Sequence, residues 1–185
     1  LGEEKGIEFL VVNASVNGNT TRMALERMPY EVQSQCFDVV ISQFGLNDCN
    51  FWETDRGLPR VSPFGFEGNL HEIINRSLCF GAKKVFINTN HPTTRNKKFS
   101  YVDKSFEESN KEYNDIIRRV ASNYNETVLT DMEQNVNSYC HQNGLEIFQT
   151  LLDDQLHLSL LGHDIYFQSI FPVLKEYIEN NIHFT

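Results

Sequence analysis

Residues 37–48 have the sequence FDVVISQFGLND, an apolar segment of strand length followed directly by Gly45-Leu46-Asn47-Asp48. A short run of β-branched and aromatic residues that ends at a turn is typical of a buried strand. In doubly wound sheets, ligands bind beyond the carboxyl ends of the strands. The Asn47 side chain could therefore donate an amide N–H to a developing oxyanion at this edge, or it could simply close an Asx turn.

Strand-like and helix-like segments alternate along the rest of the chain, which predicts an α/β domain with a parallel sheet. We predict that residues 1–185 form a single domain. The other predicted strands are Glu8–Asn13, Lys84–Asn90 and Glu126–Thr130. The predicted helices are Thr20–Gln35 (broken or kinked at Pro29), Phe66–Phe80, Ser105–Asn123, Asn135–Gln142 and Gly162–Asn180, the last with Ser159 as its cap.

The composition narrows the range of partners. The formal net charge is -9 and the 16 Lys and Arg residues are scattered, which argues against a nucleic-acid partner. No apolar run approaches the roughly 20 residues that cross a bilayer, so no membrane span is predicted. Four cysteines without C-x-x-C spacing favour reduced thiols and hence the cytoplasm, but residues before Leu1 could carry a signal peptide, so secretion stays open.

A second motif follows the predicted strand Glu8–Asn13, where the chain enters a turn centred on Gly18 and then a helix. A backbone amide at a helix entrance can donate to an anion, and glycine lets another group approach closely. By itself this pattern is weak evidence, because a strand–glycine–helix turn is more often purely architectural.

The third motif is DDQLHLSLLGH at residues 153–163, in which Asp154 precedes His157 by three residues. At this spacing the carboxylate can reach Nδ1–H of the imidazole and fix its tautomer, so that Nε2 serves as a general base. A solvated aspartate beside a structural histidine would give the same pattern, so the motif does not settle the question alone.

Taken in order, Asn-Ala-Ser-x-x-Gly-x-Thr at residues 13–20, Gly-x-Asn-Asp at 45–48 and Asp-x-x-His-x-Ser at 154–159 closely resemble the SGNH hydrolases, also called the GDSL esterase/lipase family. The resemblance implies a three-layer α/β/α sandwich with a central parallel sheet of flavodoxin-like type. It implies an oxyanion hole formed by Gly18 and Asn47, with His157 as base and Asp154 as its orienting partner. It also implies an acyl-enzyme intermediate and no cofactor.

The chain departs from this family at its first block, the Gly-Asp-Ser that supplies the nucleophile, which nothing here matches. We therefore expect the first strand and its crossover helix to precede Leu1, and the nucleophilic serine to lie outside these 185 residues. In the family's strand order, the missing strand lies between the strands at Phe9 and Phe37. No serine of the chain is a persuasive substitute, including Ser15, Ser42, Ser62 and Ser159.

Three further residues are candidates for substrate contact. Asn90 and His91 follow the third predicted strand and should face the same rim, although a loop histidine is more often only solvated. Trp52 lies in an aromatic loop that could wall an acyl or alcohol pocket, or could cover the following helix. The stretch His71-Glu72-Ile73-Ile74-Asn75 lacks the second histidine of a zinc-protease helix, so no catalytic metal is predicted.

The expected function is hydrolysis of a small or medium acyl ester by Ser-His-Asp catalysis, with a small-molecule substrate and an open oligomeric state. Two alternatives remain. A non-catalytic carbohydrate- or lipid-binding relative would have no chemical need to keep Asp154, His157, Asn47 and Gly18 together. An acyltransferase would share the acyl-enzyme, and only product analysis distinguishes it from a hydrolase.

Overall fold

A computed structural model of the chain describes residues 2 and 8–181. The described residues form a three-stranded parallel sheet in the order β1-β2-β3, with β1 at Val39–Ser42, β2 at Lys84–Asn88 and β3 at Thr127–Thr130. Ile41 is aligned with Phe86, and Phe86 with Val128. Because parallel strands need crossover connections, each strand is followed by a helix before the next one begins.

Five α-helices cover the two faces of the sheet in the described part of the chain. They are α1 (Thr21–Glu31), α2 (Pro63–Cys79), α3 (Phe106–Ala121), α4 (Met132–Asn143) and α5 (Leu160–Asn181). Short 3₁₀ turns occur at Gln33–Gln35, Glu53–Asp55 and Ile147–Thr150. The chain therefore has the predicted α/β/α sandwich.

The side chains of β2 show how the layers are held together. Val85 and Ile87 are buried in the main core with residues of α2 and α3. Phe86 points to the opposite face, where its ring lies 5.7 Å from that of Tyr177 in α5. A strand buried on both faces reads as a continuous apolar run, and that is how β2 reads in the sequence.

Local capping sets several helix boundaries. Ser105 and Glu108 form a capping box at the start of α3, with hydrogen bonds of 3.2 and 2.7 Å. The predicted cap at Ser159 is confirmed, since its Oγ accepts a hydrogen bond of 3.3 Å from the backbone N–H of Gly162. The helix predicted to continue to Gln35 ends at Glu31, only two residues after Pro29, which is retained in its last turn.

The predicted strand Glu8–Asn13 is wrong. These residues have no regular secondary structure, and Leu10 and Val11 are 76% and 84% exposed. A strand needs a partner, and within the described residues β1 pairs only with β2. Between residues 8–16 and the free edge of β1 lies a groove of about 930 Å³, which side chains of α1 and α5 also line.

The helices and the cysteines bear on the predictions about membrane spans and disulfides. In the part of the chain that is described, no helix combines the length and apolar character that a bilayer span requires. All four cysteines are free: Cys36, Cys49, Cys79 and Cys140.

Candidate active site

Oδ2 of the Asp154 carboxylate and Nδ1 of the His157 imidazole are joined by a hydrogen bond. The other carboxylate oxygen accepts hydrogen bonds from the backbone N–H groups of Leu156 and His157, at 3.0 and 2.9 Å. The imidazole bond and then these two amides hold the pKa of Asp154 well below its ordinary value. The carboxylate is thus charged at neutral pH, and it selects the tautomer with the proton on Nδ1. Nε2 of His157 is left to act on a substrate.

Asn47 and Gly18, the two predicted oxyanion donors, lie in adjoining turns. The Asn47 amide donates one hydrogen bond of 3.1 Å to the carbonyl oxygen of Asn19. A primary amide carries two N–H groups, so the second can serve another acceptor. Gly18 has a φ of +78°, a left-handed conformation that favours glycine, and its carbonyl accepts a hydrogen bond of 3.1 Å from Arg60.

Asp48 lies directly beside the candidate oxyanion donor Asn47, and no role was predicted for it. Its fully buried carboxylate accepts hydrogen bonds from the backbone N–H and the hydroxyl of Thr21, at 2.9 and 2.6 Å. Burial raises the pKa of Asp48. This contact ties the loop after β1 to the first turn of α1, and so fixes the Gly18 turn relative to Asn47. The sequence does place an aspartate directly after Asn47, and this position could have suggested a contact near the site.

Asn90 and His91 are buried, at 1% and 6% exposure, so neither side chain lies open on the rim. Asn90 packs so closely against Gly45 that no Cβ would fit there. His91 Nε2 forms a hydrogen bond of 2.8 Å with the carbonyl oxygen of Leu156, one residue before His157. The loop after β2 therefore contacts both the loop after β1 and the Asp154–His157 turn, which brings the candidate loops together.

Trp52 lies beside a second opening. The indole is half exposed, and the Arg60 guanidinium lies 4.4 Å from its ring centroid. A cleft of about 440 Å³ begins here and reaches Gln155, the neighbour of Asp154. Other side chains that line this cleft include Phe51, Arg95, Phe99 and Tyr101. Arg60 thus contacts both Trp52 at the cleft and the carbonyl oxygen of Gly18.

Two other aromatic residues of this region do not line the cleft. Phe66 is fully buried in the core, with its ring 4.8 Å from that of Tyr113, whereas Phe64 is 89% exposed. No group of three or more His, Cys, Asp or Glu side chains suited to a metal ion occurs among the residues described.

Comparison with known proteins gives a consistent assignment. The model of the GDSL-like lipase/acylhydrolase family matches residues 3–165. An arylesterase from Vibrio mimicus is 29% identical over 97 residues, which are 52% of this chain and 44% of the arylesterase. The match therefore spans less than half the length of that curated relative.

Solved structures share the fold. A lipase/acylhydrolase from Enterococcus faecalis superposes with a TM-score of 0.74 at 24% identity, covering 95% of this chain and 80% of its own. An acetylxylan esterase from Geobacillus stearothermophilus gives a TM-score of 0.70 at 20% identity, covering 88% of this chain and 70% of its own. At these identities the likeness supports the architecture alone.

Proposed function

Because the chain belongs to the GDSL-like lipase/acylhydrolase family, we propose that it hydrolyses a small or medium acyl ester through a serine-bound acyl-enzyme. The observation that carries this proposal is the Asp154–His157 pair, in which Nδ1 is bonded and Nε2 of the exposed imidazole has no hydrogen bond to any described residue. The relatives named as an arylesterase and an acetylxylan esterase are consistent with an ester substrate.

In the proposed reaction, Nε2 of His157 accepts the proton of a serine hydroxyl as the serine oxygen attacks the ester carbonyl carbon. The backbone N–H of Gly18 and the free N–H of Asn47 donate to the oxyanion. As the carbon–oxygen bond to the alcohol breaks, His157 returns the proton to the departing oxygen. Water then repeats both steps on the acyl-enzyme and releases the carboxylic acid, while Asp154 stays ionised throughout.

We place the nucleophilic serine on a further strand that occupies the groove beside β1. A strand there would end at the same sheet edge as β1, next to the turns of Gly18 and Asn47. The chain's other candidate serines are less suited to attack. Ser42 is buried within β1, and Ser159 Oγ donates to the Gln149 carbonyl while capping α5.

The cleft beside Trp52 is the proposed site of the alcohol portion of the ester. Its aromatic walls offer flat apolar surfaces, and the backbone of Gln155 places its inner end next to the catalytic turn. The His157 side chain is 66% exposed, so water can reach an acyl-enzyme, and product analysis distinguishes hydrolysis from transfer to a second alcohol. An intact Asp154–His157 pair favours a catalytic protein over a non-catalytic binding relative.

Replacing the base tests this function. In the protein expressed from its complete reading frame, His157→Ala should lower kcat for p-nitrophenyl acetate by about 10³-fold or more, with a modest change in KM. His163→Ala, which removes an exposed histidine at the start of α5, is the matched control and should retain activity. Turnover by His157→Ala at the wild-type rate would refute the assignment.

Covalent labelling tests the position of the serine. A fluorophosphonate probe should modify one serine, and peptide mapping should place it outside residues 1–185. Absence of any adduct would favour the non-catalytic binding relative, and modification of a serine within these residues would refute the placement in the groove.

A further inference from the structure

The loop at residues 90–95, here called the anchor loop, lies between α3 and the Asp154–His157 turn. We propose that His91 is a positioning residue, which together with Thr94 and Arg95 holds the backbone of this turn and thereby sets the direction of the His157 imidazole. The inference rests on the proposed function, because it assigns a role relative to the catalytic base.

The anchor loop donates to three consecutive carbonyl groups of the turn. Arg95 Nε donates to the carbonyl of Asp154 at 3.0 Å, and the Thr94 backbone N–H donates to that of Gln155 at 3.3 Å. His91 Nε2 completes the series with the carbonyl of Leu156 at 2.8 Å. On the inner side of the turn, the Asp154 carboxylate holds two backbone N–H groups. The turn is therefore held on both sides, and rotation of its peptide units would break several hydrogen bonds.

The anchor loop is in turn fixed to one face of α3. Asn114 accepts a hydrogen bond from the Asn90 N–H at 2.7 Å and donates to the Asn90 carbonyl at 3.1 Å. Asn110 donates to the His91 carbonyl at 3.0 Å. Glu107 accepts from both the N–H and the hydroxyl of Thr93, each at 2.8 Å.

These three side chains of α3 are buried and lie three and four positions apart, so they form one stripe along the helix. The same helix contributes its apolar residues to the main core. The Asp154–His157 turn is thus fixed relative to the core by two sets of hydrogen bonds. One set joins the turn to the anchor loop, and the other joins the anchor loop to α3.

His91 serves as a donor in this arrangement. The Leu156 carbonyl can only accept, so Nε2 must carry the proton. Burial lowers the pKa of His91, and the nearby His157 and His163 disfavour a second positive charge. The unprotonated nitrogen of His91, Nδ1, is buried and has no hydrogen-bond partner among the described residues, so it is not placed to act on a substrate as a second general base.

Because Asp154 and His157 are exposed, the hydrogen bonds from the anchor loop to their turn matter for the position of the His157 ring. An exposed charged hydrogen bond contributes little stabilisation, because water competes for both partners. The direction of the His157 ring therefore depends on the backbone that carries it as well as on the Asp154 carboxylate. Misplacement of a reacting group by about 1 Å can cost about 10²-fold in rate.

The test compares two variants of His91. His91→Leu keeps a side chain of similar bulk but has no donor, and it should lower kcat by about 10- to 100-fold with little change in KM. His91→Gln places an amide N–H near the position of Nε2 and should restore most of the activity. His71→Leu is the matched control: it removes a half-buried histidine that bonds Tyr124 at 2.8 Å, remote from the turn, and kcat should be unchanged.

The outcomes separate a positioning role from a structural one. Each kcat is calculated per mole of folded protein, and circular dichroism measures the folded fraction. Wild-type kcat in His91→Leu, or equal losses in the Leu and Gln variants, would overturn the inference. If His91→Leu does not fold, Arg95→Met removes a surface donor to the same turn and should lower kcat several-fold with KM unchanged; an unchanged kcat, or an effect confined to KM, would count against the inference. Failure of the proposed function is recognised independently, by wild-type turnover in His157→Ala.

Discussion

The carboxylate of Asp154 performs two tasks that a single substitution can separate. One oxygen caps two backbone N–H groups of the turn, and the other fixes the tautomer of His157. Asp154→Asn should keep the first task, because the amide oxygen can still accept from both N–H groups. It should fail in the second, because the amide NH₂ is a donor and selects the imidazole with its proton on Nε2.

Asp154→Asn should therefore lower kcat by about 10⁴-fold at neutral pH while the melting temperature stays close to that of the wild type. Asp154→Ala should lose the cap as well and melt at a lower temperature. Steady-state kinetics with p-nitrophenyl acetate and thermal unfolding would measure both effects. Activity of the Asn variant within tenfold of the wild type would show that His157 does not need the carboxylate.

We expect stability to depend on pH through His91 of the anchor loop. Burial holds the pKa of His91 below its ordinary value of about 6.5, so the folded state favours the neutral ring. Above about pH 6.5 the ring is neutral in both folded and unfolded chains, and its full contribution to stability is present. As the pH falls below this value the unfolded chain takes up the proton first, and that contribution is lost progressively until the folded pKa is reached.

The difference in unfolding free energy between wild type and His91→Gln isolates this effect, because buried acids such as Glu107, whose pKa is raised by burial, titrate in both proteins. The wild type should lose up to about 1.4 kcal/mol per pH unit relative to the Gln variant below about pH 6.5. Urea unfolding at pH 7.5, 6.0 and 5.0 would measure it. A difference that stays constant over this range would contradict a buried neutral His91.

Several strands and helices could be predicted from the sequence, because the residue patterns that define them lie within the elements themselves. The strands β1 to β3 and the helices α2, α3 and α5 were predicted to within a few residues from apolar periodicity and capping residues. The stripe formed by Glu107, Asn110 and Asn114 was not recognised as part of the site. Its residue types are those of a solvated helix face, and only the packing of the anchor loop shows that they are buried.

The segment 8–13 illustrates a different limit. Its apolar pattern is that of a strand, but a strand forms only where another strand offers free hydrogen-bonding groups. The local pattern was therefore misleading here, because a strand also depends on a pairing neighbour, which the described residues do not provide. The exposed Leu10 and Val11 line the same groove as the edge of β1 that does not pair with β2.

The layered architecture indicates what fits this groove. Side chains of α1 line it on one side and those of α5 on the other, such as Met28 and Leu174, so a segment placed there would be covered in the same way as β2. An apolar strand parallel to β1 meets these conditions. It would pair with β1 along one edge, and residues 8–13 would lie beside its other edge.

Hydrogen exchange in the protein expressed from its complete reading frame can test this arrangement. The amides of Val39–Ser42 that point away from β2 should exchange as slowly as those that point toward it, and the amides of residues 8–13 should also be protected. The β2 amides of Lys84–Asn88 provide the internal reference, since they belong to the interior of the sheet. If the outward amides of β1 and those of residues 8–13 exchange rapidly while β2 is protected, the groove is not filled by a strand. The proposed serine would then have to reach His157 from another part of the molecule.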